Sequence, residues 1–290
     1  MPDTQPESTA AAAGTFDIAG ELRVNRLGFG AMRITGDGIW GEPEDPDECR
    51  AVLRRALELG INFIDTADSY GPDVSERLIG ETLAPYPDAL TIATKAGLVR
   101  PGPGDWRSDG RPEHIREACE GSLTRLKLEQ IPLYQLHRID GKVPVEDQLG
   151  TLRDLRDEGK IRFIGLSEVS VDDLRAAQEI VPVAAVQNRY NLTDRAAEDL
   201  LDVCTAEGIG FIPWFPLATG ELAKPGSALE EIAEAREAPP SQVALAWLLH
   251  RSPVMLPIPG TSSVQHLEEN VVGAGLELTD AEIETLDSLA

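Results

Sequence analysis

Basic side chains are scarce in this sequence: 26 Lys and Arg stand against 50 Asp and Glu, a formal net charge of −24 over 290 residues. Nucleic acid and anionic membrane surfaces are bound through clustered cations, so neither is an expected partner. The acidic residues are spread through helix-like segments and read as a strongly solvated surface. Cysteine is sparse too. Cys49, Cys119 and Cys204 are an odd number at wide spacing, which argues against a disulfide framework and a CxxC metal site. The four histidines, His114, His137, His250 and His266, form no HxH or HExxH pattern, so no metal is expected. Long apolar runs are missing, and none approaches the roughly 20 residues of a membrane span. The opening "MPDTQPESTAAAAG" lacks the basic and apolar stretches of a secretory signal. It predicts a mobile tail over residues 1–14 and a cytoplasmic protein.

What is present is a rhythm. A hairpin-like stretch, "TFDIAGELRVNR", is followed by eight short apolar runs: "RLGFGAM", "INFID", "LTIATK", "IPLYQLH", "IRFIGLS", "AAVQ", "IGFIPWF" and "VMLPIP". A segment with helical periodicity follows each, among them a long helical region over 226–250. Continuous apolar runs are what strands buried on both faces require. Eight strand-helix units with no Gly/Ser linker predict one α/β domain over 15–290, a (β/α)8 TIM barrel with an N-terminal β-hairpin and a C-terminal helix. An open doubly wound sheet fits less well, because no GxGxxG turn follows the first strand.

In such a barrel, chemistry sits where strands end. The polar residues there are Asp65 and Tyr70 after strand two, Lys95 ending strand three and His137 ending strand four. Ser167 and Glu168, Gln187 and Trp214 follow on strands five to seven. A phenol titrates near pH ~10 and is a poor acid-base group alone. A neighbouring ammonium favours phenolate and lowers that value, and an aspartate can hold the ammonium in place. A carbonyl oxygen held between Tyr70 and His137 would be polarised and protonated as hydride reaches its carbon. No side chain supplies hydride, so a nicotinamide cofactor is implied. Each residue also has a plainer role: Asp65 as a loop cap, Tyr70 as a rim aromatic, His137 as a hydrogen-bonded core histidine. Lys95 is the hardest to explain that way, because lysine is rarely buried without a partner.

These residues resemble the aldo-keto reductase family. The resemblance runs from Leu27 to Asn270 through "GFGAMRI", "FIDTADSYG", "TIATKAG", "LYQLHRID", "IGLSEVS", "VQNRYN", "PWFPLATG" and "IPGTSSVQHLEENV". It implies a barrel that binds NADP(H), with NAD(H) possible, and reduces a small aldehyde or ketone. Carried over, Tyr70 is the proton donor, tuned by Lys95 and Asp65, and His137 orients the carbonyl. Ser167, Glu168 and Gln187 would hold the nicotinamide carboxamide, and Trp214 would stack on its ring, with Phe215 and Leu217 beside it. Gly260, Thr261, Ser262 and His266 would meet the phosphates, and Glu269 and Asn270 the adenine. Two departures stand out. Glu168 occupies a position that is commonly Asn, and a carboxylate accepts but cannot donate; turning away into a salt bridge is its other reading. The loop 260–266 carries no Lys or Arg for a 2′-phosphate, so NADP(H) is expected to be preferred with weaker discrimination against NAD(H) than a basic loop would give. Met32, Trp40 and Trp106 are candidate substrate-pocket residues, Trp106 equally readable as a loop anchor. The short stretch after the last barrel helix implies an open pocket and broad aldehyde use. A second reading, from another class, is a cofactor-binding redox regulator with little turnover, since such relatives keep the same four residues. No feature of the sequence specifies an oligomeric state.

Overall fold

A computed structural model describes residues 9–217 and 227–289. The chain enters through an antiparallel hairpin, β1 (Thr15–Ile18) and β2 (Leu22–Asn25). β3 (Phe29–Gly30), β4 (Phe63–Asp65) and β5 (Thr91–Ala96) then pair in parallel. A second hairpin, β6 (Leu98–Gly102) and β7 (Asp105–Ser108), intervenes. β8 (Ile131–Leu136), β9 (Ile161–Ser167), β10 (Ala185–Arg189) and β11 (Gly210–Trp214) extend the parallel sheet to seven strands in chain order. Helices α1 (Pro46–Glu58), α2 (Val74–Leu83), α3 (Pro112–Leu126), α4 (Val145–Asp157), α5 (Val171–Gln178) and α6 (Glu198–Glu207) alternate with these strands. α7 (Ala228–Ala235), α8 (Pro240–Arg251), α9 (Val264–Val272) and α10 (Asp280–Asp287) follow.

The eighth strand closes the ring without forming a regular ladder. On one side the Phe211 amide donates to Val254 O at 2.9 Å and the Leu256 amide to Phe211 O at 2.8 Å. On the other, the Gly28 amide donates to Pro257 O at 2.9 Å and the Gly30 amide to Pro259 O at 3.5 Å. Pro257 and Pro259 have no N–H, so toward β3 this segment accepts but those two residues cannot return a bond.

Side-chain alternation builds two apolar layers and the site above them. Ile64, Ile92, Tyr134 and Phe211 point outward and pack under the helices. Phe63, Ala93, Leu133, Ala185, Ile212 and Leu256 point inward and meet Ile18 and Val24 of the entry hairpin, which plugs the barrel floor. Two residues further along, the period of two puts Asp65, Lys95, Gln135 and Gln187 on the same inward face. The apolar plug is therefore capped by a polar layer at the C-terminal mouth.

Two expectations need correction. The predicted tail does not extend through residue 14: Ala10–Ala13 form a 3-10 turn, with Ala10 buried and its amide bonded to Leu59 O at 2.9 Å; residues 1–8 lie outside the described residues. The described part of region 226–250 holds two helices: the first ends at Ala235, and Pro239 and Pro240 open the second. The Pro/Gly stretch "RPGPGDW" forms a β-hairpin that carries Trp106.

Outside the barrel, α2 and α3 approach closely at Gly80, where a Cβ would lie 2.1 Å from Arg125 O. Gly80→Ala is expected to destabilise the protein by about 1–3 kcal/mol through forced separation of the helices. Chemical denaturation would measure it, and an unchanged midpoint would mean that the contact gives way freely.

Candidate active site

Asp65, at the end of β4, and Lys95, near the end of β5, are 1% and 0% exposed. Lys95 Nζ donates to Asp65 Oδ1 at 2.5 Å, to Thr66 O at 2.8 Å and to the Tyr70 hydroxyl at 3.4 Å. The other aspartate oxygen accepts from Gln135 Nε2 at 2.8 Å and Gln187 Nε2 at 2.9 Å. All of Asp65's charge is thus met by one ammonium and two amides, which fixes the lysine below the phenol. The Tyr70 ring stands edge-on to His137, centroids 6.0 Å apart. Ser69 Oγ lies 3.3 Å from His137 Nδ1. With the serine hydroxyl donating there, the tautomer leaves Nε2–H as a donor.

Titration follows from burial and charge. Burial pushes the Tyr70 phenol up and outweighs Lys95, which pulls it down. The net direction is upward, so the expected net lowering is corrected: a desolvated phenol resists ionisation more than one ammonium at 3.4 Å assists it. Burial also disfavours the Lys95 ammonium, but Asp65 and then Tyr70 more than compensate and hold its pKa above the ordinary value. Burial, then Lys95 and Arg138, depresses His137 well below the usual imidazole range, so it is neutral at physiological pH. The site therefore presents a protonated phenol, a charged lysine and a neutral imidazole donor.

A cavity of about 700 Å³ opens over these groups. Of the residues singled out from the sequence, Asp65, Tyr70, His137, Ser167, Gln187, Trp214, Phe215, Leu217, Gly260, Met32 and Trp106 line it. Lys95 lies beneath, reaching the cavity through Tyr70. Thr261 and Ser262, in the loop before α9, and His266, Glu269 and Asn270, on α9, are not in the lining. Glu168 is a correction. Its carboxylate accepts from the Arg189 amide at 2.8 Å and from the Trp214 indole N–H at 2.5 Å, so it turns from the cavity and orients the tryptophan. Both partners are uncharged N–H groups, so the residue does not turn away into a salt bridge. Trp40 is a second correction: it is absent from the lining and lies over Arg100, 5.5 Å from the guanidinium carbon.

Gly260 itself leaves no room for a side chain. A Cβ there would sit 2.5 Å from Gly30 O, because the ends of β3 and the eighth strand nearly touch. Arg33, in the 3-10 turn Ala31–Ile34 that follows β3, lines this end of the cavity, and its Cγ would lie 3.5 Å from that Cβ. Gln135, Arg33, Arg100 and Arg138 were missed from the sequence. Gln135 carried a signal, since it shares the inward parity of His137; the arginines carried none.

A (β/α)8 barrel with a buried Asp–Lys–Tyr chain and a histidine at its mouth defines a class, and the comparison with known families agrees with it: the chain belongs to the aldo/keto reductase family, whose model matches residues 26–290. It is 54% identical to an uncharacterized oxidoreductase of Schizosaccharomyces pombe, over 96% of this chain and 90% of that protein. It is 40% identical to the pyridoxine 4-dehydrogenase of Escherichia coli, over 96% of this chain and 99% of that one. Among solved structures, an aldo-keto reductase from Klebsiella pneumoniae in complex with NADPH superposes with a TM-score of 0.81 at 27% identity, covering 95% of this chain and 94% of that one.

Proposed function

We propose that this oxidoreductase is an NADPH-dependent carbonyl reductase, reducing an aldehyde or ketone to the alcohol with Tyr70 as proton donor. The observation that carries the reading is the buried Asp65–Lys95–Tyr70 chain opening on the same cavity as His137. Bound in that cavity, NADPH would supply the hydride. The His137 Nε2–H donates to the substrate oxygen and aligns it. The Tyr70 hydroxyl passes its proton to that oxygen as negative charge builds there, and Lys95 stabilises the phenolate left behind. Run in reverse, the phenolate takes the proton of an alcohol. The likeness to pyridoxine 4-dehydrogenase makes pyridoxal the first aldehyde to test.

The residues fit the cofactor. Ser167 and Gln187 offer polar atoms at the cavity floor, and Trp214, held by Glu168, presents an indole at its side. Arg33 brings positive charge beside Gly260, where no side chain fits. The first-turn amide of α9 is less free for a phosphate, because Val264 N–H already donates to Glu48 at 3.0 Å. NADP(H) is therefore preferred over NAD(H), with modest discrimination. Three buried free thiols suit a reducing, cytoplasmic setting.

The test is an aldehyde and ketone panel, pyridoxal included, followed by NADPH oxidation. Turnover near the rate without enzyme across the panel would sink this reading and favour the regulator. A separate prediction concerns the indole: Trp214→Ala is expected to weaken NADPH binding about tenfold, the equivalent of ~1.4 kcal/mol of ring stacking. Fluorescence titration measures it, and an unchanged Kd would remove Trp214 from the cofactor site.

A further inference from the structure

Arg100, on β6, is 7% exposed and has no carboxylate within ion-pair distance among the described residues. Asp105 is nearby, but its carboxylate is taken by Arg107 at 2.5 Å. The guanidinium is held by three main-chain carbonyls from two other loops. Nη1 donates to Ile39 O at 2.9 Å and to Ser69 O at 3.4 Å, and Nη2 donates to Gly38 O at 3.2 Å. Its guanidinium carbon lies over the Trp106 ring, 3.7 Å from the centroid. Trp106 in turn stands edge-on to His137 at 6.4 Å and lines the cavity with Ile39. A desolvated cation is an expensive way to fill space, since an apolar side chain of similar volume would pack without charge burial. The planar fork is what a methionine lacks, and a lysine cannot bridge three acceptors while stacking on an indole.

We infer that Arg100 is the positioning residue of the carbonyl-binding half of the site: it clamps the loop after β3, the loop carrying Ser69 and Tyr70, and Trp106 into one wall beside His137. It touches no reacting atom and acts through Trp106 and Ser69. The inference rests on the carbonyl-reductase reading and deepens it, because it assigns the substrate wall to an indole braced from behind by a buried guanidinium. Substrates with an aromatic or other flat apolar body next to the carbonyl are the class such a wall holds.

The test compares Arg100→Met, Arg100→Lys, Trp106→Ala and the Arg100→Met/Trp106→Ala double variant. With 2-naphthaldehyde, KM is expected to rise about tenfold in both Arg100 variants, with a smaller fall in kcat and a NADPH Kd unchanged within about twofold. The Arg100→Met effect on KM should be markedly smaller once Trp106 is Ala, as coupled residues require. In protein labelled with 5-fluorotryptophan, the Trp106 fluorine resonance, assigned by Trp106→Phe, should shift in Arg100→Met. That last readout needs no turnover, so a protein inactive on every aldehyde would defeat the reductase reading and still leave the clamp measurable. Additive effects in the double variant, full rescue by lysine, an unmoved Trp106 resonance, or loss of NADPH binding in both Arg100 variants would each overturn the proposal.

Discussion

Tyr70→Phe should lower kcat/KM for aldehyde reduction by about a thousandfold while leaving the NADPH Kd within about twofold of the parent. The substitution removes one oxygen from a ring that is otherwise buried, so the packing against Lys95 and His137 survives. What disappears is, among the described residues, the only hydroxyl that is close to Lys95 and also faces the cavity with His137. His137 is neutral, held there by burial and by the positive charges of Lys95 and Arg138, so it can still donate a hydrogen bond. It cannot readily replace the lost acid, because giving up a proton from a neutral imidazole is far harder than from a phenol. Residual turnover then depends on water. More than a tenth of the parent activity in Tyr70→Phe would remove the tyrosine from the mechanism.

The direction of the Tyr70 shift adds a pH signature. Its value lies above the ordinary phenol value, so the protonated form persists through neutral and mildly alkaline pH. Reduction should be flat there and fall only as pH rises past about 10. Oxidation of an alcohol needs the phenolate and should climb over the same range. A reduction rate that declines already between about pH 7 and 8 would mean that a different group supplies the proton.

The fold was legible because barrel strands are buried on both faces and announce themselves as apolar runs between helical segments. The same logic failed where backbone chemistry departs from that pattern. Pro257 and Pro259 leave the eighth strand partly unbonded, and the Pro/Gly stretch before Trp106 hides a hairpin whose register only pairing reveals. In the site, Asp65, Lys95 and His137 stood out because polar residues ending apolar strands need a reason. Gln135 shares that parity and could have been found from it. Glu168 and Arg100 could not: one turns to an indole from a distant strand, and the other is bound by carbonyls, which carry no residue identity. The net direction of the Tyr70 shift was hidden for a related reason. Sequence gives the neighbouring charge, but the balance between that charge and desolvation depends on how deeply the ring is buried.

Lys95→Met separates what the buried pair does for stability from what it does for catalysis. Removing the ammonium leaves Asp65 fully buried with its negative charge unmatched, a loss of about 3–5 kcal/mol in comparable broken pairs. The lower end is expected here, because Gln135 and Gln187 continue to donate to Oδ2. Reduction should fall by about a hundredfold or more, since the phenolate formed at Tyr70 loses its stabilising charge. Lys95 also lowers the Tyr70 value, so its removal should move the alkaline limb of alcohol oxidation further upward in pH. Adding Asp65→Asn to Lys95→Met removes the orphaned charge, and stability should return to within about 1 kcal/mol of the parent. Thr66 O, left without its donor, accounts for the remainder. Activity should not return, because neither neutral side chain can stabilise a phenolate. Denaturation midpoints and NADPH oxidation rates measured on the parent, both single variants and the double variant decide the matter. Recovery of activity together with stability would show that the pair only holds the barrel mouth together, and an unchanged midpoint in Lys95→Met would show that Asp65 does not need its cation.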